Sequence, residues 1–410
     1  MAIRRLLWVA IPLLLVAVLA GGALLGWLML TSRGTGGPAR LVVVGGDAKV
    51  RLLSEDGADR LVAGNARTEG FSFPATSPDG RQIAYVSSDD DGLAIVLFDV
   101  ASGGRKELYR SRASVPIDLA WSPDGKNIVF LLGSQLTAQI VPVDGSRPAR
   151  LIAAGSPSFF AWSPDGATLL LHLGGHAAQG GYMAMYRPDQ QQAAPFLSDP
   201  GLFQAPAWSL DGRDVFYVAQ PPVEGGQMTL ADLKSDIMRV SADGKNRRRL
   251  AREEQADLRI VRAPNSDQIA YMVFGAQGHG PLKLVGGDGG AARTLSRAGE
   301  KVTAFFWSPD GRQIAYLTYS GTFAPDGERT WHIVDAASGA VRDLASFQPS
   351  AAFVGLQIFF DAYTFSFSPW SPDARRLAYG ADDGVYVIDV AGGGSARKGD
   401  GALGMWVGGK

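Results

Sequence analysis

The chain has no cysteine in 410 residues. That excludes a disulfide framework, a thiol nucleophile and a lipid-modified cysteine. Histidine is scarce: His172, His176, His279 and His332 are the full set. His172 and His176 are four apart, but they fall at a strand end and in a Gly-rich loop, and zinc needs three or four converging ligands. Asp89-Asp90-Asp91-Gly92 gathers carboxylates without the Asp-x-Asp-x-Asp-Gly spacing of a calcium loop, so it reads as a hairpin turn. No metal site and no cofactor is expected. No Gly-x-Ser-x-Gly elbow occurs and no α/β-hydrolase pattern follows. No catalytic residue is assigned, and the expectation is that the chain is not an enzyme. A basic surplus is missing too. The formal net charge is −1, and the first 40 residues hold four arginines and no acid, which leaves the remainder at −5. That balance argues against nucleic acid as a partner. The basic run Lys245 to Arg249 is a local exception. It reads as a solvated turn and outer strand, with a phosphate or lipid headgroup site as the alternative.

What the chain does have is repetition. Six of its nine tryptophans, Trp121, Trp162, Trp208, Trp307, Trp370 and Trp406, hold one place in a recurring pattern. The phrase is Trp-Ser-Pro-Asp-Gly followed by a short apolar strand, as in Trp121 to Phe130 and Trp307 to Tyr316. Its Asp, or the equivalent, falls at Asp79, Asp124, Asp165, Asp211, Asn265, Asp310 and Asp373, at intervals of 45, 41, 46, 54, 45 and 63 residues. Thr76 and Arg262 stand where two copies lack the Trp, and Ala374 stands for the last Gly. A unit of this length with four strands is a propeller blade. Pro presets the turn, Asp bonds its own backbone, and Gly takes a left-handed conformation. The repeated Asp are therefore turn formers and the repeated Trp pack between blades.

Leu41 to Val44, Val50 to Leu53 and Asp59 to Val62 supply strands two to four of a blade with no strand one before them. Ala402 to Val407 supplies a strand one with no strand two after it. Sharing one blade between the two ends gives an all-β propeller of eight four-stranded blades, closed by the C-terminal strand, with seven or six as alternatives.

The phrase Trp-Ser-Pro-Asp-Gly-(Lys/Arg)-x-Ile-(Ala/Val)-(Tyr/Phe) resembles the TolB-type propeller repeat, and Ser241 to Leu250 resembles that family's third hairpin and fourth strand. The resemblance covers nearly all of residues 41–410. TolB itself has six blades after a smaller domain, so the likeness implies the repeat family rather than TolB. It implies a fold shared by periplasmic binding and scaffold proteins and by the propellers of prolyl oligopeptidase-type enzymes.

Leu6 to Leu30 carries no charge over 25 residues. At about 1.5 Å per residue this is ~37 Å, enough to cross a hydrocarbon core of about 30 Å. Arg4 and Arg5 precede it, which places the N-terminus in the cytoplasm by the positive-inside bias. The expected organisation is a cytoplasmic N-terminus over 1–5, a transmembrane signal-anchor helix over 6–30, a linker over 31–39 and an extracytoplasmic propeller over 40–410. The alternative is secretion after cleavage at Ala20, where Val18-Leu19-Ala20 fits the small-residue rule.

Two stretches break the rhythm: Gln220 to Ser235, with a weakly helical Thr229 to Lys234, and Phe347 to about Asp361. Insertions in repeat proteins form loops on one face, where binding residues gather. The second stretch is apolar. Phe353, Leu356, Phe359 and Phe360 are candidate partner-docking residues, with a plug of the channel as the competing reading. The function expected is binding or scaffolding of an envelope or membrane protein, as an accessory subunit of a membrane complex. The alternatives are a sensor or carrier holding a peptide, glycan or small ligand in the central channel, and a hydrolase or lyase.

Overall fold

Eight antiparallel sheets follow one another around a ring. The computed structural model describes residues 40–408 except 46, 48, 55–58, 65–73, 134–135, 157, 203, 221–232, 276 and 325. The transmembrane segment expected over 6–30 and its flanks 1–5 and 31–39 lie outside the described residues. Among the described residues, no helix is long and apolar enough to cross a membrane.

Each blade is a meander in which the innermost strand ends at the phrase and the second strand begins just after it. Blade three shows the pattern: Pro116–Trp121, Asn127–Leu132, Thr137–Pro142 and Arg150–Ala153. Local chemistry explains why the turn recurs. The Ser77, Ser122, Ser163, Ser209, Ser308 and Ser371 hydroxyls donate to the Asp two residues on, at 2.5–2.8 Å. Each also accepts from the backbone N–H five residues on, at 2.9–3.0 Å. The carboxylates are acceptors only, so these donors favour the charged form. Asp165 is held below the usual range by the Ser163 hydroxyl and then the Ala167 N–H, and Asp211 by the Arg213 N–H and then Ser209. Gly125 closes its turn at φ 71°, and Ala374 adopts φ 58° in the last copy despite its Cβ.

The tryptophans tie neighbouring blades. The Nε1 of Trp121, Trp208, Trp307 and Trp370 donates to the carbonyls of Ala75, Ala161, Val261 and Phe306 at 3.0–3.2 Å. In each pair the acceptor is the residue just ahead of the phrase in the preceding blade. Trp162 and Trp406 are buried at the same place with no partner for Nε1. Farther out, basic side chains reach the next blade's hairpin: Lys106 to the Asp144 carbonyl at 2.6 Å, Arg239 to that of Gly287 at 2.9 Å, and Arg342 to that of Ala391 at 2.8 Å.

Blade eight departs from the pattern. It has three strands, Arg376–Ala381, Gly384–Asp389 and Ser395–Gly399, and its innermost strand shrinks to a bridge between Trp370 and Leu377. The long sixth interval is thus an insertion that replaces most of a strand.

Blade one closes the ring. Leu403–Val407 lies innermost, beside Arg40–Val44, with Leu41 opposite Trp406 and Val44 opposite Leu403. All five residues of the C-terminal strand are buried. Deleting residues 401–410 strips the inner edge of blade one. Loss of a single cooperative thermal transition, or aggregation, is expected, because an unpaired apolar edge templates other chains. An unchanged melt would place the closure elsewhere.

Candidate functional site

The innermost strands face the propeller axis. Three residues ahead of the tryptophan position, in seven of the eight blades, stand Asp118, Phe159, Ala205, Arg259, Ala304, Phe367 and Leu403. Between blades seven and eight the chain leaves the repeat and crosses this axis. Ser350 caps a helix, Ala351–Ile358, by accepting from the Phe353 N–H at 3.1 Å. A 3-10 turn, Ala362–Phe365, follows. The helix packs on Lys301–Trp307 of blade seven and Arg376–Ala381 of blade eight. The 3-10 turn packs on Pro116–Trp121 of blade three and Ser158–Trp162 of blade four. An insertion that touches blades on both sides of the ring fills its axis.

The four residues singled out for docking lie mostly inside. Phe353, Leu356 and Phe360 are buried in the same cluster as Phe305, Phe306 and Trp331, and the Phe360 and Phe305 rings are 4.8 Å apart. Phe359 is half-buried against Phe159, Ala205 and Ala362. Phe353, Leu356 and Phe360 therefore lie inside the chain's own packing rather than on its outer surface. Ile358, at 57% exposure, is the apolar side chain the helix leaves outside. In the other interruption, residues 221–232 lie outside the described residues. Lys234 and Ser235 open the strand Lys234–Ser241 where a helix end was expected.

Polar groups meet the plug. Asp361 accepts from the Ala205 N–H at 2.9 Å, and Arg259 donates to Asp257 at 2.6 Å. Asp118, Asp361 and Gln204 are buried, and Asp118 Oδ1, Asp361 Oδ1 and both Gln204 amide atoms have no partner. Asp118 sits at φ 50°, where its strand shifts register between Ile117 and Ala120. A non-glycine residue in that region is strained, by about 1–2 kcal/mol. Burial, and then the charge of Asp361, push the Asp118 carboxyl up to about 8. Burial also raises Asp361, against the pull of Arg259, and lifts the Tyr363 hydroxyl well above its ordinary value. At neutral pH Asp118 therefore holds a proton inside the filled axis.

His172 is buried with both ring nitrogens 2.9 Å from the carbonyls of Gln204 and Gly175. Among the described residues, no three His, Asp or Glu side chains gather in a way that could hold a metal. Asp90 and Asp91 form the expected hairpin turn, and Arg247, Arg248 and Arg249 pair with Asp199, Asp288 and Asp236. A cleft of about 220 Å³ lies between blades four and five, lined by turn residues including Asp165, Trp208 and Asp211.

The axial cluster was missed in the sequence, although a signal was present. Asp118 is a charge inside an otherwise apolar innermost strand, at the register position that other blades fill with Phe159, Ala205 and Ala304; Arg259 holds the same position in a strand that also carries Asp257 and Arg262.

A TolB beta propeller domain model matches residues 45–257. Among solved structures, a prolyl endopeptidase is similar at 11% identity and a TM-score of 0.53, covering 83% of this chain and 51% of that one. This chain spans about half the length of that protein. An oligogalacturonate lyase in complex with manganese is 13% identical, with a TM-score of 0.49 and coverage of 88% and 84%. TolB from Acinetobacter baumannii is 15% identical, with a TM-score of 0.42 and coverage of 79% and 82%. At these identities the likeness is one of fold.

The buried Asp118 makes a pH prediction. Its folded pKa of about 8 lies above the unfolded value of roughly 4, so the folded state binds the extra proton between them. Stability then falls as pH rises from about 4 to about 8 and levels off above that. Asn tolerates the left-handed backbone and does not titrate. The melting-temperature advantage of Asp118→Asn over the parent should grow across that window. A constant difference would contradict the assignment.

Proposed function

The chain belongs to the TolB beta propeller domain family, and from that premise we propose a non-enzymatic binding or scaffolding module that works on another envelope protein. In this reading residues 6–30 hold it in a membrane and the propeller lies outside the cytoplasm. The filled axis carries the proposal. A ligand carrier needs an open channel lined by convergent polar groups. Here the helix Ala351–Ile358 and the 3-10 turn Ala362–Phe365 take that space. Phe360 and Tyr363, both buried, lie within the same stretch. What remains for recognition is the outside of the ring: its two faces of turns and hairpins, and its rim of outer strands.

The membrane part rests on the uncharged run Leu6 to Leu30. Its length suits a spanning helix, and its flanking Arg4 and Arg5 suit retention on the cytoplasmic side.

Purification of the full-length chain from membranes in mild detergent tests both parts. A scaffold brings a second chain in stoichiometric amount, and an N-terminal tag stays on a protein that resists carbonate extraction. A lone monomer carrying a small molecule would favour the channel-ligand alternative. A mature N-terminus at Gly21 would remove the anchor.

A further inference from the structure

Six junctions between blades share a second tie, and one junction lacks it. A single register position of the outer strands holds Arg60, Lys106, Arg150, Arg248, Arg293 and Arg342. Each donates to a hairpin carbonyl of the next blade. Arg60 reaches Val100 at 2.7 Å, Lys106 reaches Val143 at 3.1 Å and Arg248 reaches Gly287 at 3.3 Å. Arg150 reaches Pro188, and Arg293 reaches Ala336. Arg342 reaches Ala391, one residue farther on, at 2.8 Å. In blade four the position falls to exposed Ala194, opposite Met185. The carbonyl it would meet in blade five belongs to Ala242, which follows Ser241 as Val143 follows Pro142. Among the described residues no donor reaches that carbonyl. Blade eight has Ala396 at this position, and the matching part of blade one lies outside the described residues.

The junction without the tie is the one with the cleft. Met185 and Ala242 both line its 220 Å³. A water's share of liquid volume is about 30 Å³, so the space is larger than a water site. A second cation is missing beside it. Two residues after the Asp of the phrase, five blades carry Arg81, Lys126, Arg213, Arg312 and Arg375, and blade four carries Ala167. Asp165 has no ion pair among the described residues. The Ser163 hydroxyl and the Ala167 N–H nevertheless hold it in its charged form. Asp211 pairs with Arg213, 3.7 Å away and 85% exposed. Exposed pairs that loose are weak. The lining thus sets two carboxylates, Asp165 and Asp211, against one cation, exposed Arg187, for a formal −1. Pro164 and Trp208 add apolar wall.

This combination suits a guanidinium group. Carbonyls and carboxylates are acceptors only, and a planar fork of N–H donors serves more than one of them at once. Arg150 does so at the neighbouring junction, where it reaches both the Tyr186 hydroxyl and the Pro188 carbonyl. The methylene stem of such a side chain lies along apolar surface while its head keeps polar company. We propose that the cleft between blades four and five binds an arginine side chain presented by the partner protein, seated where the chain's own repeat lacks one. The source of that arginine rests on the scaffold reading above. The chemistry of the cleft does not depend on it.

The purified full-length chain in an uncharged detergent tests this. The probe is acetyl-arginine-amide, with acetyl-citrulline-amide as the control that keeps the shape and loses the charge. Saturation-transfer NMR should show the arginine amide bound severalfold more strongly than the citrulline amide. Ala194→Arg supplies the missing side chain from within. It should abolish binding of the amide, with a melting temperature at or above the parent's. Asp165→Asn with Asp211→Asn keeps an acceptor for each serine hydroxyl and removes both charges, and it should weaken binding severalfold. No binding by the parent, equal binding of the two amides, or either variant binding like the parent would overturn the proposal. Co-purification from membranes identifies the source. The second chain should be lost from Ala194→Arg, and one that stays with it would defeat the assignment to a partner's arginine. A parent that binds the amide and brings down no second chain defeats the scaffold reading and keeps the guanidinium site.

Discussion

The fold leans on the packing of one blade's phrase against the innermost strand of the blade before it, a contact that an indole N–H fixes by a hydrogen bond at four of the junctions. Backbone pairing joins strands within a sheet, but nothing in a four-stranded meander tells two sheets how to sit together. The tryptophan of the phrase supplies that information. Its ring fills the wedge between two sheets, and Nε1 finds a carbonyl at a fixed place, as Trp208 does at Ala161 and Trp370 at Phe306. A buried indole usually finds such a partner. The turn that follows, pinned by Ser and Asp, points the second strand the same way in each of the seven copies where Ser or its substitute holds it. In the worn copy, Ala263 keeps the backbone bond to Gln268 at 2.8 Å, and Arg262 reaches the Ser266 carbonyl at 3.0 Å in place of the serine contacts.

Setting eight blades around an axis has two consequences. The last must meet the first, which the strand Leu403–Val407 accomplishes by joining the sheet that Arg40–Val44 begins. The axis also becomes wider than strand side chains fill. The insertion before blade eight meets that need with Phe353, Leu356, Phe360 and Tyr363, all buried. It gives up most of an innermost strand in doing so. Of the polar groups it covers, Asp118 keeps a left-handed backbone, and Asp118 and Asp361 each keep one oxygen without a hydrogen-bond partner.

Much of this was legible beforehand. The period, the turn chemistry and the orphan strands at both ends predicted eight blades and the pairing of Trp406 with residue 41, because each is a local rule repeated many times. The apolar character of Phe353 to Phe360 was also plain. Whether those rings point in or out is set by the width of the axis, which no local pattern contains. The axial polar cluster was invisible for a related reason. Asp118, Gln204, Arg259 and Asp361 come from three repeats and one insertion, and only the closed ring brings them together. Asp118 alone carried a hint, as a charge inside an apolar strand.

The account turns on the insertion being part of the core rather than a docking element. Phe360→Ala measures that directly. Truncating a buried Phe typically costs about 3–5 kcal/mol. The account predicts a clear drop in melting temperature, seen with the purified chain alone. A variant that melts like the parent, and loses only its co-purifying partner, would contradict it.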